Sequence, residues 1–276
     1  MNTPQSARLL IRNSRHLWIA LAALALSACS SHADKVAANT QTNAMVVAQT
    51  AFDSHQYAKA ETLFRQLVDQ AATAAQPLPE QALLMLARSQ FQQDKKQAAR
   101  NTLQQLLDMR GSKAAEAADY LGKFSLDDGK TDQAQAAYRQ GLALDGLTGA
   151  EEARLLNGLG VSLLNQNSYA QGREAFERAV VLAPDEASYR SNLALGWLMD
   201  GQITKARTVF APLLHYQQLP PRVEMNYALL LLAEGQEQQA RLILSRYLSP
   251  TQVDHDIRQL ADRLATIRQR AAGQSS

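Results

Sequence analysis

Apolar residues recur along residues 41–270 at intervals of three and four, the spacing that places side chains on one face of a helix. The last such segment, residues 253–270, carries apolar side chains separated by three, four and three positions. These are Ile257, Leu260, Leu264 and Ile267. The pattern predicts a succession of amphipathic helices, the last of which has one polar face and closes the open end of the preceding array.

Within this succession, small and large side chains repeat in phase. We divide the chain into six units of two helices, A and B, which begin at residues 41, 80, 115, 153, 187 and 221. A small residue recurs in helix A at Ala48, Ala87, Gly122, Gly160, Ala194 and Ala228, and in helix B at Ala60, Ala99, Ala134, Gly172, Ala206 and Ala240. Large residues recur at Val47, Leu86, Leu121, Leu159, Leu193 and Tyr227, and at Phe64, Leu103, Tyr138, Phe176, Phe210 and Leu244. Only Ala or Gly leaves room where two helices of one unit approach closely, whereas the large side chains fill the gaps between neighbouring helices.

The turns between helices favour the same division. Gly129, Asn167, Gly201 and Gly235 fall between helix A and helix B, where a residue that tolerates positive φ is expected. Wider spacing of the first units implies longer loops at residues 71–80 and 145–152. Pro212 falls inside a B helix and predicts a kink there.

The unit that begins at Ala153 resembles a tetratricopeptide repeat, a two-helix repeat of about 34 residues. The matching residues are Leu156, Leu159, Gly160, Leu163, Phe176, Ala179 and Pro184, with Gly172 where Ala is usual. This resemblance implies an all-α fold: a tetratricopeptide-repeat superhelical solenoid of about six repeats with a C-terminal capping helix. In such proteins helix A lines the concave face and binds peptides.

The N-terminus has the organisation of an export signal. Three arginines, Arg8, Arg12 and Arg15, precede an uncharged apolar run at residues 17–26, which is too short to span a bilayer. Leu26-Ser27-Ala28-Cys29 then resembles the lipobox of bacterial lipoproteins. The resemblance implies that Cys29 is lipidated. Ser30, rather than Asp, favours the outer membrane and its periplasmic face. The alternatives are an ordinary secretory signal with a chance cysteine, or a buried helix.

These patterns divide the chain into four parts. Residues 1–28 are the predicted lipoprotein signal peptide, and residues 29–40 are the lipid anchor and flexible tether. Residues 41–250 are the repeats, and residues 251–276 are the capping helix and a frayed tail. Loss of the signal would take 28 basic residues to 25, against 26 acidic residues, a net charge of −1. A nearly neutral protein does not indicate a nucleic-acid partner.

The sequence contains no constellation that predicts catalysis. Cys29 is the single cysteine, and no pair among His16, His32, His55, His215 and His255 has the spacing of a zinc motif. We therefore expect no enzyme activity, no cofactor, no metal and no small-molecule substrate.

We expect instead a surface for protein partners on the A helices of the last three repeats. Asn192 and Asn226 occupy positions where the asparagines of related repeats clamp a peptide backbone, since one carboxamide both donates and accepts. The predicted groove comprises Arg154, Asn157, Val161, Leu164, Asn192, Leu195, Leu198, Arg222, Asn226 and Leu229. Because the clamping lysines are absent, we do not expect capture of a C-terminal carboxylate. The alternative is that the aliphatic residues pack between repeats and the asparagines are solvated.

The C-terminal half resembles a narrower group, the TadD-like lipoproteins of tight-adherence (Flp pilus) secretion systems. The telling segments are Asn192-Leu193-Ala194-Leu195, Pro212-Leu213-Leu214, Arg222-Val223 and Asn226-Tyr227-Ala228-Leu229. The resemblance implies a pilotin-like partner of the secretin or of pilus-assembly subunits. Two alternatives stay open: another envelope adaptor, such as a type IV pilus pilotin or an outer-membrane assembly factor, and a recruiter of cell-wall enzymes.

Overall fold

A computed structural model describes residues 42–255, together with residues 257, 258, 265, 266 and 269. The signal peptide, Cys29 and the tether lie outside the described residues, as does most of the final helix. Every regular element in the described part is helical, which confirms the predicted all-α class. The chain divides into two compact units, residues 1–94 and 95–276, so that the division falls within the second repeat.

The first unit contains α1 (residues 42–53), α2 (Tyr57–Thr73) and α3 (Glu80–Gln92). Its core is formed by the predicted small and large positions. Ala48 and Ala60 are fully buried where α1 meets α2, and Phe64 is fully buried in the same cluster. Val47, in contrast, is 53% exposed on α1 and does not fill the predicted gap between helices.

The second unit stacks the remaining helices in chain order. They are α4 (Lys96–Asp108), α5 (Ala114–Asp127), α6 (Thr131–Leu142), α7 (Gly149–Asn165), α8 (Tyr169–Leu182), α9 (Ala187–Met199), α10 (Ile203–Phe210), α11 (Pro221–Ala233), α12 (Glu237–Leu244) and α13 (residues 250–255). From α4 to α12 each helix packs against the next, and α5, α7, α9 and α11, the A helices, also form a continuous row. This row is the surface on which the groove residues were predicted.

Glycine sets the closest approaches in this unit. A Cβ atom added at Gly160 would lie 2.5 Å from Cε1 of Phe176. The ring of Tyr138, from α6, lies between two further glycines: an added Cβ would be 2.2 Å from its Cζ at Gly122 and 2.2 Å from its Cε1 at Gly158. Real Cβ atoms do not approach so closely, so the aromatic ring occupies the space that these glycines leave.

Left-handed residues lie at the same place in all six A-to-B turns. The four predicted turn residues have positive φ, from 61° at Asn167 to 83° at Gly201. His55 (59°) and Asp94 (60°) occupy the equivalent positions of the first two repeats, which the sequence analysis did not identify. Histidine and aspartate enter this region more readily than most residues, so the turn geometry is kept without glycine.

Both predicted long loops are shorter than expected. α2 continues to Thr73, which leaves residues 74–79 between it and α3. α7 begins at Gly149 because Thr148 and Glu151 form a capping box: the Glu151 amide donates to Thr148 Oγ1 (3.3 Å), and the Thr148 amide donates to Glu151 Oε2 (2.9 Å). Residues 149–152 are therefore a helical turn and not a loop.

The B helix that contains Pro212 ends early. α10 stops at Phe210, and residues Ala211–His215 continue as a 3₁₀ helix with the proline in its first turn. The predicted disruption is a change of helix type, since proline cannot donate the hydrogen bond of the α pattern. At the C-terminal end, Val253 of α13 is buried, and Ile257 packs against the same cluster, as the capping role requires. Leu260, Leu264 and Ile267 lie outside the described residues.

Candidate functional site

The row of A helices encloses a cavity of about 280 Å³, which we call the A-helix cavity. It lies against α5 and α7 and extends to the first residues of α9 and α11. Its lining includes Asp119, Lys123, Arg154, Asn157, Tyr189 and Arg222. Val161 and Glu186 also line it, so that four of the ten predicted groove residues meet there: Arg154, Asn157, Val161 and Arg222.

Asp119 is the most buried charged group of the cavity, with a side chain only 4% exposed. Its Oδ2 accepts from Lys123 Nζ at 2.8 Å and lies 3.3 Å from Arg154 Nε of the next repeat. Burial raises the pKa of Asp119, and the two cations oppose that shift only in part. Its Oδ1 and the Arg154 Nε have no hydrogen-bond partner. A buried carboxylate with a raised pKa and an unpaired oxygen, in a cavity, marks a candidate functional position.

Two tyrosines lie beside this carboxylate. Tyr138 belongs to a B helix, but its ring passes between Gly122 and Gly158 and reaches the cavity lining. Burial raises the pKa of Tyr138, and the charge of Asp119 adds to the shift. Burial likewise raises the pKa of Tyr189, with a contribution from Glu186. Both phenols therefore stay protonated and offer hydroxyl groups at neutral pH.

The predicted asparagine clamp is not open to a peptide in the expected way. Asn192 Nδ2 donates to Asn157 Oδ1 at 2.8 Å, and Asn226 Nδ2 donates to Ser191 Oγ at 2.9 Å and to Asn192 Oδ1 at 3.3 Å. Asn192 is itself buried, with 7% exposure. These carboxamides join α7, α9 and α11 to one another, because each lies one repeat from the next.

The predicted aliphatic groove residues belong mostly to the core. Leu164 and Leu198 are 7% and 2% exposed, which corrects their placement on an open surface. Leu195 and Leu229 are partly buried and pack against the same cluster, as does Val161. The alternative weighed above, packing between repeats, therefore describes the leucines.

A second set of polar contacts joins neighbouring repeats and was missed by sequence reasoning. In each, an early residue of a B helix meets the residue that ends the A helix of the next repeat. Arg173 Nη1 lies 2.6 Å from Asp200 Oδ2, and Arg207 Nε donates to Glu234 Oε1 at 2.6 Å. Equivalent pairs are Glu61 with Gln93, Arg100 with Asp128, and Gln135 with Gln166. Polar residues that recur at these two places of each repeat, 27 to 32 residues apart along the chain, were the available signal.

Trp197 lies between two cations. The Arg173 guanidinium carbon is 4.2 Å from the ring centroid and Lys205 Nζ is 4.5 Å from it. Arg173 thus contacts both Trp197 and Asp200, which fixes α8 against α9.

Within residues 42–255, no group of three or more His, Asp or Glu side chains is placed to hold a metal ion. No helix of this described part is long and apolar enough to cross a membrane.

The repeated geometry agrees with comparison to known proteins. A sequence profile of the tetratricopeptide repeat family matches residues 48–114, 84–132 and 121–187, which together cover half of the chain. The chain belongs to the tetratricopeptide repeat family. A comparison with curated proteins found no match.

Solved structures of other tetratricopeptide-like proteins share the fold at low sequence identity. A structure from a functional characterisation of Pseudomonas aeruginosa PilF aligns with a TM-score of 0.62 and 16% identity, over 79% of this chain and 96% of that one. MamA from Desulfovibrio magneticus RS-1 aligns with a TM-score of 0.52 and 16% identity, over 63% of this chain and 93% of that one. At such identities the likeness shows the fold alone.

Proposed function

We propose that this tetratricopeptide-repeat protein is a lipoprotein scaffold of the outer membrane that binds protein partners in tight-adherence (Flp) pilus assembly. In this proposal Cys29 carries the lipid, the protein faces the periplasm, and the repeats hold a secretin or pilus-assembly subunit in a pilotin-like way. The observation that carries the scaffold role is the A-helix cavity, whose exposed polar lining comes from consecutive repeats. The protein has no catalytic role in this proposal.

The lipid anchor is supported by the order of elements at the N-terminus: three arginines, an apolar run, and Leu26-Ser27-Ala28-Cys29. The pilus role is supported by the segments that resemble TadD-like lipoproteins in α9, the 3₁₀ helix and α11. A second candidate is another envelope adaptor, such as a type IV pilus pilotin, an outer-membrane assembly factor or a recruiter of cell-wall enzymes. The fold that this chain shares with PilF is a reason to retain this second candidate.

The partner is identified by cross-linking in the native host. The full chain carries a C-terminal tag, the envelope is cross-linked, and co-purified proteins are identified by mass spectrometry. Arg222→Gln removes an exposed cation of the cavity, and Arg139→Gln removes an exposed cation of α6 as the matched control. Recovery of a secretin or pilus-assembly subunit that is lost in Arg222→Gln but kept in Arg139→Gln supports the proposal. Barrel-assembly proteins or cell-wall enzymes in its place would favour the second candidate.

The anchor is tested separately by membrane fractionation. Cys29→Ala is expected to abolish labelling by radioactive palmitate and to remove the protein from the outer-membrane fraction. Ser30→Asp is expected to keep the label and move the protein to the inner membrane. If Cys29→Ala is labelled like the unaltered chain, the lipoprotein assignment fails.

A further inference from the structure

The A-helix cavity has an excess of positive charge at its accessible rim. Three cations, Lys123, Arg154 and Arg222, line it together with two carboxylates, Asp119 and Glu186. Their exposures differ: the side chains of Lys123 and Arg154 are 53% and 35% exposed, whereas that of Asp119 is 4% exposed. The cations therefore reach solvent while one of the two carboxylates lies beneath them. Glu186 is exposed as well, so a ligand that enters the cavity meets three cations and one carboxylate at the rim.

The cations that line the cavity are not all neutralised by the carboxylates within it. Asp119 is shared by Lys123 and Arg154, so one carboxylate faces two cations. Glu186 is engaged at the start of α9, where its Oε1 accepts from the Ser188 amide at 3.3 Å. Arg222, exposed at the start of α11, has no ion pair or hydrogen bond with any described residue. A guanidinium offers five donors, and those of Arg222 are available to a ligand.

The shape of the lining limits what the ligand can be. The cavity volume of about 280 Å³ accommodates one or two side chains, and its lining comes from four consecutive A helices, α5, α7, α9 and α11, which suits an extended chain. Tyr189 and Asn157 add polar groups, and Val161 adds an apolar one. Three cations against two carboxylates leave a net positive charge, which disfavours a basic side chain. A carboxylate can pair with both guanidinium groups, since such pairs have favourable bidentate geometry.

We infer that the A-helix cavity binds an acidic side chain, Asp or Glu, in an extended segment of the partner protein. Arg154 and Arg222 contact the carboxylate, and Lys123 adds to the attraction. Asp119, at the cavity floor, holds Arg154 and Lys123 in place from beneath and is a positioning residue. This inference rests on the proposed scaffold function and names the chemistry that the scaffold recognises.

The test uses the full chain in detergent and two dye-labelled pools of short peptides with amidated C-termini. The pools have the same composition, except that one carries Glu where the other carries Gln. Fluorescence anisotropy is expected to show about tenfold tighter binding of the Glu pool, because a carboxylate accepts charge-assisted hydrogen bonds from guanidinium groups and the Gln carboxamide does not. This preference is expected to weaken as sodium chloride is added, since the rim is open to screening.

Arg222→Gln is expected to lower the ratio of the affinities for the Glu and Gln pools by about fivefold. Arg154→Gln is expected to lower this ratio by a similar or larger factor. Arg139→Gln removes the same charge from α6 and is expected to leave the preference unchanged. Circular dichroism melting separates loss of binding from loss of fold for both Arg154→Gln and Arg222→Gln.

Three results would overturn the inference: equal affinity for both pools, binding to neither, or a preference that Arg222→Gln leaves intact. A third pool carries Gln and a free C-terminal carboxylate. Tighter binding of this pool than of the amidated Glu pool would also overturn the inference, because it would indicate capture of a chain terminus. Failure of the pilus proposal looks different. Binding of the Glu pool that depends on Arg222, in a protein that recovers no pilus subunit from cells, would keep the cavity chemistry and reject the pilus role.

Discussion

The A helices of the middle repeats and those of the last repeats present different faces, although they share one framework. Along α5 and α7, glycine, a tyrosine ring and paired charges form a cavity whose lining reaches solvent. Along α9 and α11, the leucines pack into the core and the carboxamides bind one another. The repeat fixes where side chains point, and the residue type at each position decides whether the face forms a cavity open to solvent or joins the next repeat.

The largest effect in this comparison is expected at Gly158, where α7 approaches Tyr138. Gly158→Ala would bring a Cβ atom within 2.2 Å of Cε1 of a fully packed ring. Because an overfilled core forces side chains from their preferred rotamers, the free energy of unfolding is expected to fall by about 1–3 kcal/mol. Urea denaturation followed by circular dichroism measures the change.

Gly149→Ala, on the same helix, is the matched control. Its added Cβ would be 3.9 Å from the nearest atom, Leu182 Cδ2, which is ordinary contact, so stability is expected to stay the same or rise slightly. Tyr138→Leu should recover part of the loss in the Gly158→Ala background. An equal loss in both glycine variants would mean that the ring does not set the spacing of α5 and α7.

Next in size is the asparagine chain that closes the face of α9 and α11. Asn192→Ala removes the acceptor of Asn226 and the donor to Asn157, so the free energy of unfolding is expected to fall by about 1–2 kcal/mol. Asn165→Ala changes an exposed residue near the end of α7 and is the control, with little expected effect. If both variants unfold at the same urea concentration, the carboxamides are solvated in solution, and this face is as open as that of α5 and α7.

Features that depend on one residue were predictable from the sequence, and those that depend on pairs were not. Ala206 is small because two helices meet there, and Gly201 is glycine because the turn has a positive φ. In each case the position in the repeat is enough to predict the residue's role. The pairing of Asp119 with Arg154, in contrast, joins residues of two repeats. The pKa of Asp119 is raised mainly by burial, which depends on how the two repeats pack.

Other signals were present in the sequence but were not used. Thr148 and Glu151 have the spacing of a capping box, which would have placed the start of α7 correctly. Polar residues recur at one A-helix position as Asp119, Asn157 and Ser191, which marks the inner face of three consecutive repeats. The sequence did not reveal that the carboxamides bind each other, because that choice depends on how closely successive A helices approach.

The smallest effect is expected at Asp119, where burial of the carboxylate opposes folding. Since the pKa of Asp119 is raised in the folded protein, its protonated form favours folding below the unfolded value of 3.8, and that contribution is lost as pH rises through the folded pKa. At neutral pH, Asp119→Asn is therefore expected to raise the melting temperature, and the gain should shrink as the pH is lowered toward 4. Asp185→Asn, at an exposed position before α9, should show no such trend. A melting temperature lowered by Asp119→Asn at neutral pH would mean that the pairs with Lys123 and Arg154 outweigh burial, and that the carboxylate of the cavity stabilises α5 and α7 much as the carboxamides stabilise α9 and α11.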